Sequence, residues 1–312
     1  MSGSADGTPG AGAPGASKLG AAGVSVASNS ALIVLKLVAG AVTGSVAVLT
    51  EAVHSCIDLI ASVVAFLSVR KADEPADADH LYGHEKLENL AAAIEGVLIL
   101  LGAGVIVYES VRRLVEGARV HALGFGIVVV AISAVANVAV SSLLARRARE
   151  TESAALAGDA FHLRTDAATS AAVMVGLVLV QITGARWLDP AIALAVAAAI
   201  VAAGVRLVLR SSRVLVDEAL PPQEMQLVRE TVVALGRAHG VAGFHRLRSR
   251  RAGARRYIDM HVQFRAGTTL EDAHETAHVL QDAIGARLRD TDVLIHLEPE
   301  DRVRPGTELP GR

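Results

Sequence analysis

The chain has 312 residues, 52% of them hydrophobic and 20% charged, whereas a soluble domain is roughly 45–50% apolar and about 25% charged. Its 30 basic and 32 acidic residues leave a net charge of -2, so no basic field exists to hold a nucleic acid. The single cysteine, Cys56, excludes an intramolecular disulfide and any Cys-rich metal site.

Residues 1–16 contain no aromatic residue and no Leu, Ile or Val, so they are expected to be a disordered tail, as are residues 301–312. From 17 to 213 the chain is a series of apolar runs of roughly 20 residues or more, the length that crosses a bilayer. They cover 19–42, 46–69, 87–111, 122–145, 154–183 and 187–209. A soluble helical bundle would show a polar stripe on every helix, yet residues 121–145 and 167–185 hold no acidic residue, lysine or arginine. The expected fold is therefore an α-helical membrane protein with six transmembrane helices. With the N-terminus inside, Lys18, Arg70, Lys71, Lys86, Arg146, Arg147, Arg149, Arg206, Arg210 and Arg213 lie on or near the cytoplasmic side. The opposite side receives only Arg112, Arg113, Arg119 and Arg186, which places both termini in the cytoplasm.

Residues 214–300 have the composition of a soluble domain. Pro221 and Pro222 break the chain before an amphipathic helix over 223–238. Strands are expected over 243–250 and 255–264, joined by the turn Arg251-Ala252-Gly253-Ala254. A helix over 270–288 and a strand over 292–297 complete an αββαβ order, a helical layer on a small sheet.

Ionisable groups inside a span cost roughly 2.5–3.5 kcal/mol each at its centre, so they mark function. The second span holds Glu51, His54 and Asp58; the fifth holds Asp159, His162, Arg164 and Asp166. His-x-x-x-Asp occurs in both, as His54/Asp58 and His162/Asp166, and four residues put both side chains on one helix face. Two such faces offer two imidazoles and two carboxylates, a four-coordinate set for zinc and other divalent first-row ions. The alternative, a hydrogen-bonded pair satisfying itself inside the bundle, fits one occurrence better than two.

These residues resemble the cation diffusion facilitator family, bacterial ferrous-iron/zinc efflux type. The likeness is carried by Gly44-Ser45 through His54-Ser55 and Asp58, then Asp77, His80-Leu81-Tyr82-Gly83-His84-Glu85-Lys86, and Asp159-Ala160-Phe161-His162-Leu163-Arg164-Thr165-Asp166. It runs from about residue 17 to 300, and order and spacing make it specific. It implies a homodimeric divalent-metal/proton antiporter of the inner cell membrane, with six spans and a cytoplasmic ferredoxin-like domain. By resemblance His54, Asp58, His162 and Asp166 match the transport site, and Asp77, His80 and His84 a loop site, for which a solvated charged loop is the alternative. His245, His261, His274, His296 and Glu298 match a cytoplasmic zinc site in which Glu298 stands where aspartate is usual. Lys86 and Asp217 match a charge pair locking the membrane part to the cytoplasmic part.

His at position 54, where many bacterial relatives have Asp, adds a borderline nitrogen ligand that suits zinc better than manganese. The eight residues from Arg146 to Ser153 leave no room for the His-rich loop of many eukaryotic zinc members. Metal binding requires deprotonated ligands, so metal and proton compete for one site and an inward proton gradient drives export. No Gly-x-x-x-x-Gly-Lys-[Ser/Thr] run is present to suggest nucleotide coupling, so a transporter and not an enzyme is expected. Zinc would be both cargo and regulator, with Fe2+, Cd2+, Co2+ or Mn2+ as alternative cargo. A membrane-anchored zinc sensor is the competing class. His278 follows His274 by one turn, His239 and His121 have no partner pattern, and Cys56 is expected to pack. The arginines around the 251–254 turn suit a solvated face or the anionic cytoplasmic leaflet.

Overall fold

Where the first six helices meet, small side chains let their backbones come close. This computed structural model describes residues 14–43, 46–116, 124–185 and 187–300; some helical side chains, those of 39–54 among them, lie outside the description. The chain divides into two compact units, Met1–Ser211 and Ser212–Arg312.

The first unit is helical: α1 Pro14–Thr43, α2 Val46–Ala72, α3 Lys86–Glu116, α4 Gly124–Thr151, α5 Ala154–Thr183 and α6 Leu188–Leu215, whose last turn runs into the second unit. α1 begins three residues inside the stretch expected to be a tail; proline lacks only an N–H that a first turn does not need, and it presets φ for the helix. The rest of that expected tail, 1–13, and the tail 301–312 lie outside the described residues. α5 packs on α4, α3 and α2, and α1 on α2 and α4. The buried seam is mostly Ala21, Ala22, Ala91, Ala148, Ala155 and Ala160, with Val69, Leu144, Leu156 and Leu163 filling the gaps. α3 and α6 approach closely, since a Cβ at Gly96 would stand 2.7 Å from Val208 Cγ2.

Larger apolar groups point outward: Leu101, Val105, Val135, Ile182 and Leu209 are exposed. A water-soluble bundle would leave no such apolar surface, so an apolar solvent or a partner must cover it. Among the described residues three helices are long and apolar enough to cross a membrane, over Lys18–Val38, Lys86–Arg112 and Pro190–Leu215. Crossing by all six helices is part of the function proposed below. Lys18 Nζ lies 3.2 Å from Asp73 Oδ1 and 3.1 Å from Glu88 Oε1, which ties the start of α1, the end of α2 and the start of α3 to one end of the bundle.

The second unit follows the αββαβ order, with α7 Pro222–Gly236, β1 Val241–Ala252, β2 Arg255–Phe264, α8 Leu270–Arg287 and β3 Thr291–Pro299. The sheet order is β1-β2-β3, β1 antiparallel and β3 parallel to β2. β1 runs longer than expected: Ala252 pairs with Arg255, so the turn is only Gly253-Ala254. Gly253, at φ 56, takes the left-handed first position of a two-residue hairpin turn. Thr269 caps α8 by accepting from Asp272 N at 3.1 Å. α7 and α8 contribute Val228, Val232, Leu280 and Ile284 to a core with Phe244, Ile258, Met260 and Val262. Arg256, itself buried, holds Glu224 with Nε at 2.9 Å and Nη2 at 3.2 Å, pinning α7 to β2.

Candidate metal centres

Three groups of His, Asp and Glu gather among the described residues, each with its ligand atoms within 4.8 Å of one another. The first lies between α2 and α5. His162 Nε2 stands 3.3 Å from Asp58 Oδ1 and 3.7 Å from Asp166 Oδ2, and His162 and Asp58 are buried. A tetrahedral zinc with bonds of about 2.0–2.2 Å separates its donor atoms by roughly 3.3–3.6 Å. The His162–Asp58 pair stands at that spacing, and Asp166 is close enough to join it with a small shift. Their convergence follows from local geometry, since Asp166 is one turn beyond His162 on α5 and the packing of α5 on α2 delivers Asp58. His54 lies on α2 four residues before Asp58; its side chain, like that of Glu51, lies outside the description.

The second group is the loop between α2 and α3. Asp77 Oδ1 is 3.2 Å from His80 Nδ1, Asp77 Oδ2 is 3.3 Å from His84 Nε2, and the two imidazole rings are 4.5 Å apart. Asp77 also accepts the backbone N–H groups of His80 at 2.7 Å and Asp79 at 3.0 Å. The His80 backbone bond is the main cause holding its carboxyl below the usual aspartate range. His84 is buried while Asp77 and His80 are exposed, so this site faces water on one side.

The third group is built by strand register. His245 on β1 pairs with His261 on β2, which pairs with His296 on β3, a row of three imidazoles across the sheet. Glu298, two residues after His296 on the same face, lies 2.8 Å from His245 Nε2, 2.7 Å from His261 Nδ1 and 3.7 Å from His296 Nε2. Bonds from His245 and then His261 hold the Glu298 carboxylate at about 2, well below the ordinary glutamate value. These are hydrogen-bond distances, shorter than the edge of a metal tetrahedron, so a bound ion would have to displace at least one of them. Immediately after His245 the ladder bulges: Arg246 and Leu247 oppose Met260 alone, with Arg246 at φ 50. Such a bulge re-aims neighbouring side chains.

His274 is placed apart from that row, exposed on α8 with its Nε2 3.1 Å from His278 Nε2. Asp217 lies 3.6 Å from Arg250 within the C-terminal unit. Lys86 belongs to the other unit, and its pairing with Asp217 stays a proposal. His239 caps its own helix, with Nδ1 2.8 Å from Leu235 O, and His121 lies outside the described residues. Cys56, expected to pack, is exposed on α2. Around the hairpin turn Arg248 meets Asp259 and Arg255 meets Asp292, so the arginines there are neighboured by acids. Three buried ionisable residues of the described helices went unremarked in the sequence: Lys36, whose Nζ bonds Ser55 Oγ at 2.6 Å, Glu88, which Lys18 meets, and Glu95. All three stand inside apolar runs, which is the signal that could have found them.

Buried histidines and carboxylates inside a helical unit with apolar outer faces, and a separate small unit bearing a row of histidines, have the makeup of a membrane protein that handles metal ions. Comparison with known proteins agrees. Residues 22–216 match the cation efflux transmembrane domain and residues 220–300 the cytoplasmic domain of cation efflux proteins. A cation-efflux pump FieF of Klebsiella pneumoniae is 33% identical over 283 residues, 91% of this chain and 93% of the relative. An uncharacterised transporter of Synechocystis is 34% identical over 276 residues, 88% of each chain. The metal-bound C-terminal domain of the CzcD transporter from Thermotoga maritima is 29% identical and covers 27% of this chain and all of that one, with a TM-score of 0.24. The chain belongs to the cation diffusion facilitator family of cation-efflux transporters.

Proposed function

We propose that this chain exports a divalent metal, zinc before others, from the cytoplasm in exchange for protons. The observation that carries the reading is the cluster of Asp58, His162 and Asp166 on two packed helices of an apolar bundle. His54 completes it as the fourth ligand by its place one turn before Asp58. Zinc needs neutral imidazole and ionised carboxylate, so loading from the cytoplasm releases protons and reprotonation on the far side expels the metal. In this reading α1 to α6 all cross the inner membrane, both termini are cytoplasmic, and two copies form a homodimer. Lys86 and Asp217 join the membrane part to the cytoplasmic part. The loop group Asp77, His80 and His84 takes metal at the cytoplasmic face. The test is zinc uptake into inside-out vesicles carrying the purified protein and a pH gradient. Zinc flux that appears with the protein and collapses with the gradient is expected; no flux overturns the reading.

Ligand identity sets preference here. His54→Asp keeps four ligands, removes a nitrogen and adds one negative charge, so manganese and cadmium compete better against zinc. Competition assays on one preparation check this; an unchanged metal ranking assigns selectivity to cavity shape instead.

The cytoplasmic row regulates and does not conduct. His245, His261, His296 and Glu298 lie in the unit that follows the last span, and His274 joins them only if a second copy or a domain movement supplies it. Zinc bound there favours one arrangement of the two protomers, and that arrangement tightens zinc by the same factor. His261→Ala combined with His296→Ala therefore moves the zinc concentration for half-maximal flux up by roughly tenfold or more, with proton coupling intact. A flux curve that does not move shows that the row has no part in regulation. The sensor reading is favoured by the same row, and it predicts zinc binding with no vesicle flux.

A further inference from the structure

The three candidate metal clusters leave one buried pair of acids unused. Glu95 on α3 and Asp159 on α5 are both fully buried. Neither oxygen of Glu95 has a hydrogen-bond partner, and neither does Oδ2 of Asp159. The other Asp159 oxygen accepts from Ser62 Oγ on α2 at 3.0 Å. Ser62 in turn lies 2.7 Å from Asn29 Nδ2 and 3.0 Å from Ser25 Oγ, both on α1. Glu95 is pressed against the residue beside Asp159: a Cβ at Gly158 would stand 2.0 Å from Glu95 Oε2. The glycine is what leaves room for the carboxyl.

Several described cations on the surrounding helices meet other groups. Lys18 spans Asp73 and Glu88, and Lys36 bonds Ser55. Arg112 meets Glu109, while Arg146 and Arg147 hold Glu150. Arg164 on α5 and Arg206 on α6 are exposed, and Lys86 opens α3 roughly two and a half turns before Glu95. His162, one turn after Asp159, faces Asp58 and Asp166. Two carboxyl groups buried near each other, with His162 already facing Asp58 and Asp166, are disfavoured when both are ionised, and a proton on one of them relieves the conflict. Ser62 donates to Asp159, whereas no described group donates to Glu95.

We propose that Glu95 and Asp159 form a buried proton-binding site, Asp159 lying one helical turn before His162, with the proton carried by Glu95. The ligand is a proton, and the site is separate from the metal clusters. It gives the chain a second place to hold a proton beside the groups that exchange metal. That use rests on the antiport reading, whereas the site itself does not.

The test is infrared spectroscopy of the full-length protein in lipid nanodiscs at neutral pH, with metal removed by a chelator. A neutral carboxylic acid shows a carbonyl stretch that a carboxylate lacks. The difference between wild type and Glu95→Gln is expected to contain that band, shifting in heavy water. Asp159→Asn removes the neighbouring carboxyl and moves the band in frequency. If Glu95→Gln does not insert, Gly158→Ala presses a methyl on Glu95 Oε2 without changing charge and shifts the same band. No acid band in the wild type, a band that persists in Glu95→Gln, or one that ignores both Asp159→Asn and Gly158→Ala overturns the proposal. A bound sodium or divalent ion in place of the proton gives the first of these results. A chain that moves no metal yet keeps the band loses the transport reading and retains this one.

Discussion

Asp58→Ala stops metal flux, lowering it by more than about a hundredfold, because even an outer-shell partner of a metal ligand is worth 10–100-fold in affinity or activity. Asp58 is the only described group from α2 in the cluster, and His162 Nε2 faces it at 3.3 Å. Alanine would leave His162 and Asp166 on one helix with only the proposed His54 from α2, an incomplete set that has lost one of its two carboxylates. The measurement is zinc flux into vesicles at matched protein content, with chromatography to show that the variant inserts and keeps its oligomeric state. Asp166→Ala carries the same expectation. Wild-type flux in both would place the transport site elsewhere in the bundle.

Phe244→Ala in the C-terminal unit costs about 3–5 kcal/mol, the usual loss for emptying a buried phenylalanine site. Phe244 is 1% exposed, pairs with Val262 across the sheet, and packs in the core between the sheet and its two helices. A unit of this size has a stability of only about 5–15 kcal/mol, so the variant loses a large share of it. Because Phe244 immediately precedes His245, loss of the core also loosens the row of imidazoles. Denaturant unfolding of residues 212–300 measures the change. A loss under about 1 kcal/mol would mean that the sheet is held by its ladders and by the Arg256–Glu224 pair, not by this core.

Much of this molecule is legible in one dimension because its signals are local. Apolar runs with a bilayer's length became helices whose ends moved by only a few residues, as at Lys86–Glu116 for the run 87–111. The His-x-x-x-Asp spacing needs nothing but helical periodicity to put His162 beside Asp166. The loop group is equally local, since Asp77, His80 and His84 lie within eight residues of chain. The proline that starts α1 was misread because composition marks a segment as polar and small, while a helix start depends on φ and on a missing donor.

Sequence alone therefore determined the two-part division of the chain, the helical and αββαβ element orders, and the groups whose ligands share one turn or one loop. Only the tertiary structure decided what meets across elements. The packing of α5 on α2 brings Asp58 to His162, 104 residues away. The register of three strands, with a bulge after His245, lines up His245, His261 and His296 over Glu298 and leaves His274 on another element. The approach of α3 to α5 at Gly158 buries Glu95 near Asp159. The physical reason is common to all three. Helical and strand periodicity fix where a side chain points on its own element, but which faces oppose one another depends on the packing of small residues and on ladder register. Those are properties of pairs of elements distant in the chain, and no window along one of them contains the other.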